Sequence, residues 1–189
     1  MLKLGNFYPP IYYFLFKTPL GWCGVVDSTK GVLRVEIGYP GREPLLKKIV
    51  NRFGNRQVND GVRRDLVNGI TRYFSGEKVL FNCAMDWSSL SPFQRKVFKE
   101  AMKVPYGTAV AYGNLACRIG CPNGSQAVGG ALSKNPFPLL IPCHRIIRGD
   151  RKLGGFSAPG GIALKRKLLR LEGVIPSLKE HRVKIVRRK

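Results

Sequence analysis

Acidic residues are scarce in this chain of 189 residues: 11 Asp and Glu stand against 33 Lys and Arg, a formal net charge of +22. A thermophile's charged surface mixes both signs and is rich in Glu, so the scarcity argues against that reading. It leaves a polyanionic partner, with nucleic acid the usual one. No apolar run approaches the roughly 18 residues a membrane span needs, so no membrane partner is expected. The run Ile11 to Phe16 follows Pro9-Pro10 and has no small-residue cleavage site; it reads as a strand rather than a signal peptide. Histidine occurs twice, never before His144, so a zinc site in the first half has only Cys23 and Cys83 to draw on. Cys117 and Cys121 lack two further ligands and read as small core residues. No metal is expected. No Gly-rich phosphate loop is present, so no nucleotide cofactor is expected either. Five cysteines, an odd number without any sign of secretion, fit a reduced cytoplasmic protein, or a nuclear one if the host is eukaryotic.

Apolar residues make up 44% of the chain, enough for a substantial core. The first ninety residues read as α+β. Tyr12 to Phe16, Trp22 to Val26 and Val32 to Ile37 are rich in aromatic and β-branched residues, and turn chemistry separates them, which predicts an antiparallel meander. Leu45, Leu46, Ile49, Val50 and Phe53 form one helical stripe; Val62, Leu66, Ile70, Tyr73 and Phe74 form another, with Asp60 placed to cap it. Val79 to Phe81 reads as a returning strand. After a polar break at Asp86 to Ser89 the strand signal fades. Ser91-Pro92-Phe93-Gln94 is a capping box that starts a helix, with Phe93, Val97, Phe98, Ala101 and Met102 expected to face the core. Shorter helices are expected near Tyr112–Ile119 and Ser125–Ser133. The turn Gly120 to Gly124 between them makes a helix-turn-helix, although many helical hairpins bind nothing.

The charge follows the second half. Residues 1–90 carry a net +6, residues 91–173 a net +11, and residues 174–189 a net +5. Three segments result: 1–88, 89–174 and a basic C-terminal tail, 175–189, that reads as an arm with or without a dedicated contact.

The chemistry concentrates in Asn135-Pro136-Phe137-Pro138-Leu139-Leu140-Ile141-Pro142-Cys143-His144-Arg145. A thiol sits here beside two potential cations, and the thiolate is the reactive form of cysteine. Neighbouring side chains of an extended segment point to opposite faces. A Cys143–His144 couple therefore needs a turn at Cys143 or a relay through water, and three prolines make an irregular backbone plausible. By itself a Cys-His dipeptide is most often a buried, inert thiol beside a surface imidazole.

The surroundings change that balance. Ile141-Pro142-Cys143-His144-Arg145 with Asn135-Pro136 resembles the active-site signature of the O6-alkylguanine-DNA alkyltransferases, the methylated-DNA–protein-cysteine methyltransferases. Phe93 to Val97, Val104 to Thr108, Ala111-Tyr112, Ala127 to Ala131, Gly154 to Ser157 and Leu171 to Gly173 follow the family's order and spacing, so the resemblance is nearly continuous from Ser91 to Gly173. The first half matches more loosely, chiefly through Phe16 to Gly21.

The resemblance implies a ribonuclease-H-like N-terminal domain followed by a winged-helix domain that carries the thiol. It implies an activity: a single, irreversible transfer of the alkyl group of O6-alkylguanine in double-stranded DNA, with O4-alkylthymine as a further substrate, to Cys143 after the base is flipped out. A monomer is expected. His144 would take the thiol proton through a water and Glu172 would orient His144. Independently, Glu172 is the sole acid near Lys165, Arg166, Lys167 and Arg170 at a helix end that prefers cations, so a plain salt bridge to one of these competes with that role. Tyr112 would donate to the departing purine, or is an ordinary half-buried tyrosine. Asn135 would brace the active-site turn, or simply ends a helix. Phe156 would line the alkyl pocket, and the loop around Ser157 would meet the guanine oxygen.

Ala127, Gly129 and Gly130 fall on the helix that the resemblance sets against DNA; their small size serves either close DNA approach or core packing. Arg118, Lys134 and Arg145 are further candidate DNA contacts. Two departures from the family stand out. Gln126 occupies the place where an arginine often fills the gap left by the flipped base, and Ala158-Pro159 lengthen the loop after Ser157. A thioether is a poor leaving group and nothing in the sequence regenerates the thiol, so one turnover is expected. Three rivals remain at this stage: a lesion binder of the alkyltransferase-like kind (which lacks the cysteine), a winged-helix DNA binder with a vestigial site, and a Cys–His hydrolase.

Overall fold

The computed structural model describes residues 11–54 and 63–174. Three antiparallel strands, β1 (Tyr12–Thr18), β2 (Gly21–Ser28) and β3 (Gly31–Tyr39), form the expected meander in the order β1-β2-β3. Both connections are two-residue turns, since Thr18 pairs with Gly21 and Ser28 with Gly31. Gly31 has φ 125°, and a Cβ there would lie 2.5 Å from the Ala84 carbonyl oxygen, so this corner accepts no side chain.

Helix α1 (Arg42–Phe53) packs on one face of the sheet through Leu45 and Ile49 against Tyr13, Val26 and Tyr39. Helix α2 (Arg64–Phe74) buries Leu66, Ile70, Tyr73 and Phe74 in a second core with Val25, Val35 and Ile37. Arg63, with a left-handed backbone, occupies its cap position; Asp60 and Val62, which the sequence assigned to this helix, lie outside the described residues, as does the 175–189 tail.

Residues 79–81 do not form the expected strand. Val79 and Phe81 pack toward α2, where a Cβ on Gly69 would touch both, while Leu80 between them is 87% exposed. The alternating pattern was thus satisfied by packing against a helix and not by strand pairing. The return to the sheet comes at 84–86, where Val32 donates to the Ala84 carbonyl at 2.9 Å and Asp86 donates to the Val32 carbonyl at 2.7 Å.

Helix α3 (Pro92–Met102) starts with the expected reciprocal capping box between Ser91 and Gln94. Val97, Phe98 and Ala101 are buried, but Phe93 and Met102 are exposed, contrary to expectation. Met102 lies about 100° round the helix from Ala101 and so leaves the buried stripe. Strand β4 (Val110–Ala111) leads directly into α4 (Tyr112–Arg118), which the 119–124 turn joins to α5 (Ser125–Ser133). Strand β5 (Ile146–Ile147) pairs parallel with β4, and α6 (Gly161–Leu171) closes the described chain. Cys117 is exposed and Cys121 partly so, so Cys117 is not the core residue the sequence suggested.

The architecture of the described residues is therefore mixed α/β, with a three-stranded sheet, a two-stranded parallel pair and six α-helices. Its largest core runs from Phe16 and Val35 through Phe98 to Ile141 and Leu168, so the two halves share one apolar interior. Among the described residues no helix is long and apolar enough to cross a membrane, and no group of three or more potential ligands could hold a metal ion.

Candidate active site

The segment 135–145 is tied to the sheet and to itself. Val35 of β3 donates to the Pro136 carbonyl at 2.8 Å, and Phe137 is fully buried beside Trp87. The Asn135 side chain spans the loop: its Oδ1 accepts from the Phe137 N–H at 2.9 Å and its Nδ2 donates to the Ile141 carbonyl at 3.0 Å. Leu139 is held at φ 74°, a left-handed conformation that costs a branched residue about 1–3 kcal/mol and survives only where the surroundings enforce it.

The turn that a Cys–His couple requires is present. Pro142 has φ −78° and ψ 60°, an inverse γ-turn, and the Cys143 N–H donates to the Ile141 carbonyl at 2.8 Å. A single 3₁₀ turn, Cys143–Arg145, follows, closed by the Arg145 N–H on the Pro142 carbonyl at 2.9 Å. The proline ring fixes the φ that the γ-turn needs. Cys143 and His144 thereby leave the backbone in different directions, and both are buried, at 7% and 1% exposure.

His144 points inward to a dense polar cluster. Its Nε2 lies 2.8 Å from Glu172 Oε1 and 3.2 Å from the Tyr73 hydroxyl, while Tyr73 donates to Glu172 Oε1 at 2.6 Å. Because Tyr73 gives its proton to the carboxylate, its oxygen is left to accept, and Nε2 faces two acceptors. That assigns the imidazole proton to Nε2 and the lone pair to Nδ1. Nδ1 is buried and has no hydrogen-bond partner among the described residues. Burial holds the His144 pKa below its ordinary value, outweighing the pull of Glu172, so the ring is a neutral base.

Glu172 caps the C-terminal end of α6. It ion-pairs not with Lys165, Arg166, Lys167 or Arg170 but with Arg145, whose Nε and Nη2 each donate to it at 2.9 Å. The Gly107 N–H adds a bond at 3.2 Å. Burial raises the carboxyl pKa, but the bonds and charges of His144 and Arg145 outweigh it and bring the group to about 2. Arg145 was expected at the DNA. Its guanidinium instead turns inward, to Glu172, the Val104 carbonyl (2.7 Å) and the Tyr106 ring, because the carboxylate at an unfavourable helix end needs a cation.

Two residues of this cluster were not singled out from sequence. Tyr73, from the first half, was read only as part of a helical stripe. Lys165 was weighed as one of four cations able to form a plain salt bridge with Glu172, yet it is fully buried, with Nζ donating to the Ile146 carbonyl at 2.6 Å and lying 5.6 Å from the centre of the Tyr112 ring. Its signal was in the sequence: it shares the face of α6 with Leu164, Leu168 and Leu169, all buried. Burial brings its pKa down to about 8, against the opposing influence of Cys143. Burial pushes the Cys143 thiol up, while the Asn135 amide, 3.2 Å from Sγ, and the Lys165 charge act in the opposite direction.

Cys143 forms part of the wall of a cavity of about 530 Å³ between α5 and residues 154–157. Tyr112, Gln126, Gly129, Phe156 and Ser157 share that wall, so the structure brings five of the expected site residues together around the thiol. Burial, then the proximity of Cys143, raises the Tyr112 pKa and keeps its proton on the phenol. Gln126, Ala127 and Gly130 face outward on α5, and a Cβ on Gly130 would meet nothing within 4 Å. Core packing therefore does not explain that glycine. Arg118 and Lys134 are exposed near the two ends of the helix pair; Arg118 lies 3.9 Å from Glu100.

Residues 92–174 match the family described as 6-O-methylguanine DNA methyltransferase, DNA binding domain. A methylated-DNA–protein-cysteine methyltransferase of Methanothermobacter thermautotrophicus is 34% identical over 82% of this chain and 82% of its own length. The chain belongs to the methylated-DNA–protein-cysteine methyltransferase family. Members of that family repair DNA by moving an alkyl group to a cysteine of their own. Among solved structures, the Mycobacterium tuberculosis O6-methylguanine methyltransferase is similar at TM-score 0.71 and 30% identity, covering 86% of this chain and 92% of that one. The Mycobacterium tuberculosis OGT in complex with DNA is similar at TM-score 0.70 and 29% identity, covering 85% and 92%.

Proposed function

We propose that Cys143 is the alkyl acceptor of this methyltransferase and that its substrate is O6-alkylguanine in duplex DNA, with O4-alkylthymine as a further substrate. One observation carries the reading: a buried thiol forms part of the wall of a base-sized cavity, and the next residue in the chain belongs to a buried imidazole–carboxylate pair whose imidazole keeps one nitrogen unengaged among the described residues. The cavity volume lies within the roughly 300–1,000 Å³ usual for small-ligand pockets.

The chemistry follows from the groups in place. A buried thiol resists ionisation, so the thiolate is made when it is needed. His144 Nδ1 takes the thiol proton through a bridging water, and Glu172, held by Arg145 and Tyr73, steadies the imidazolium that results. Lys165 and the Asn135 amide stabilise the sulfur's charge. Sγ then attacks the alkyl carbon in line; the S–C bond forms as the C–O6 bond breaks, and the electron pair leaves with the purine. Tyr112 donates a proton toward the purine as that charge develops, and backbone donors near Ser157 meet O6. The thioether is neutral and stable, so each molecule reacts once, with no cofactor.

The target carbon lies inside the duplex, so the nucleotide must be extruded. We assign α5 as the helix that meets DNA, with Ala127, Gly129 and Gly130 allowing close approach, Gln126 filling the vacated stack, and Arg118 and Lys134 contributing phosphate contacts. In this reading residues 1–88 form a ribonuclease-H-like domain, 89–174 a winged-helix domain and 175–189 a basic tail, and the protein acts as a monomer in the cytoplasm, or in the nucleus of a eukaryote. The test is mass analysis of peptides after incubation with a duplex containing O6-methylguanine. Methyl addition to the peptide holding Cys143, lost in Cys143→Ala, is expected. A stoichiometric complex with unmodified peptide would show a lesion binder instead.

A further inference from the structure

A second cavity, of about 450 Å³, also has Cys143 in its wall and adjoins the first. Its walls share Ser133, Cys143, Phe156 and Ser157 with the base cavity, and Ala158 of the lengthened loop borders it. The rest of its lining comes largely from β3, α1 and the 133–138 segment, and it is strongly cationic. Arg34, Lys48, Arg52 and Lys134 face it against a single carboxylate, Glu36. That carboxylate is already occupied: Arg34 pairs with it, Lys48 Nζ lies 3.2 Å away and the Tyr39 hydroxyl donates to it at 3.0 Å. Arg52 and Lys134 have no acidic partner among the described residues.

We propose that this chamber receives the far end of the O6 substituent and selects lesions whose substituent carries a negative charge, the O6-carboxyalkylguanines. The inference rests on the reading of Cys143 as acceptor. In-line displacement sets sulfur, the alkyl carbon and O6 on one axis, so the remainder of a longer substituent leaves that carbon sideways. With guanine in the base cavity, the adjoining chamber, which shares Ser133, Cys143, Phe156 and Ser157 with it, is the space left for it. A methyl group needs no such room. A carboxylate does, and it meets Arg52 and Lys134, which have no acidic partner among the described residues, in a cleft that focuses their field. No extra reactant enters: the S–C bond forms, the C–O6 bond breaks, and the carboxyalkyl chain stays in the chamber on the thioether of Cys143.

The experiment compares single-turnover rates on duplexes holding O6-carboxymethylguanine, its neutral isostere O6-carbamoylmethylguanine, and O6-methylguanine. The readout is the carboxymethyl-to-carbamoylmethyl ratio in the parent, in Arg52→Gln and in Arg52→Glu. Arg52 lies on the exposed side of α1, so both variants are expected to fold and to keep the parent rate on O6-methylguanine. The ratio is expected to fall severalfold in Arg52→Gln and about tenfold or more in Arg52→Glu, and to fall in the parent as salt is raised. An unchanged ratio in Arg52→Glu overturns the proposal. So does an equal loss on all three substrates, which would assign the cations to the DNA backbone. Failure of the parent to methylate Cys143 at all would instead overturn the acceptor reading beneath it.

Discussion

The two sides of Cys143 are built on opposite principles. Behind it, His144, Glu172, Arg145 and Tyr73 form a buried cluster in which each group but one imidazole nitrogen is bonded to another. In front of it, α5 and the 154–157 loop expose glycine, glutamine and serine to open cavities with few internal bonds. The contrast teaches where rigidity is needed. Moving a proton requires fixed geometry and a low dielectric, which burial and mutual satisfaction provide. Admitting an everted nucleotide requires a surface whose own contacts are weak enough to exchange for those of DNA. Stability and chemistry should therefore respond together behind the thiol and separately in front of it.

Cys143→Ala gives the largest effect and the cleanest separation: transfer is abolished, while thermal unfolding shifts little because the thiol makes one side-chain hydrogen bond among the described residues. Glu172→Gln should damage both properties. Removing one member of a buried ion pair strands Arg145 at a cost of about 3–5 kcal/mol, and loss of the imidazole's support should lower transfer by about 10²–10⁴. Denaturant titration and quenched-flow rates measure the two. A Glu172→Gln protein that stays stable but is dead would break the link drawn here.

The same carboxylate predicts how acid acts. Its folded pKa, about 2, lies below the ordinary carboxylate value. A depressed pKa gives stability that is fully present above the unfolded value and lost as pH falls toward the folded one. The contribution is of order 3 kcal/mol, lost between about pH 4.5 and pH 2. That slope should flatten in Glu172→Gln.

Lys165→Met sharpens the comparison, because it removes a buried charge that pairs with no carboxylate among the described residues. Stability should hold or rise, yet transfer should drop about tenfold for each pKa unit the thiol gains. In the parent, the Lys165 contribution should fade as pH rises through about 8, where its ammonium is lost. A stopped-flow pH profile of parent and variant reads this directly. Tyr73→Phe should cost about 1 kcal/mol and slow transfer severalfold, with a displaced pH profile that a merely structural role would not produce. Gln126→Ala is the smallest case for stability, within about 0.5 kcal/mol. It should slow repair of duplex DNA while sparing reaction with the free alkylated base. Equal rates on duplex DNA would remove Gln126 from base flipping.

Much of this was open to reading from the chain. The meander, the Ser91–Gln94 capping box and the helix pair around residues 120–124 rest on local spacing and turn chemistry, and they appear where expected. The thiol segment, with its asparagine, was equally legible because its prolines and its neighbours are contiguous. Two of the lapses share a cause, a tertiary partner that the local pattern does not name. Val79–Phe81 has a strand's alternation but packs against α2, and Arg145 has a DNA-binding residue's chemistry but neutralises a buried acid.

Sequence alone determined the charge and most of the local elements and singled out the thiol segment, because each depends on residues close together along the chain. Tertiary structure decided which polar groups serve one another. Tyr73 and Glu172 stand far apart in the chain and meet at 2.6 Å, and Lys165 becomes a buried cation only when α6 docks beside Cys143. A side chain's charge state and partners are set by the dielectric and the neighbours that folding brings; periodicity marks the face on which Lys165 lies, not the groups it meets there.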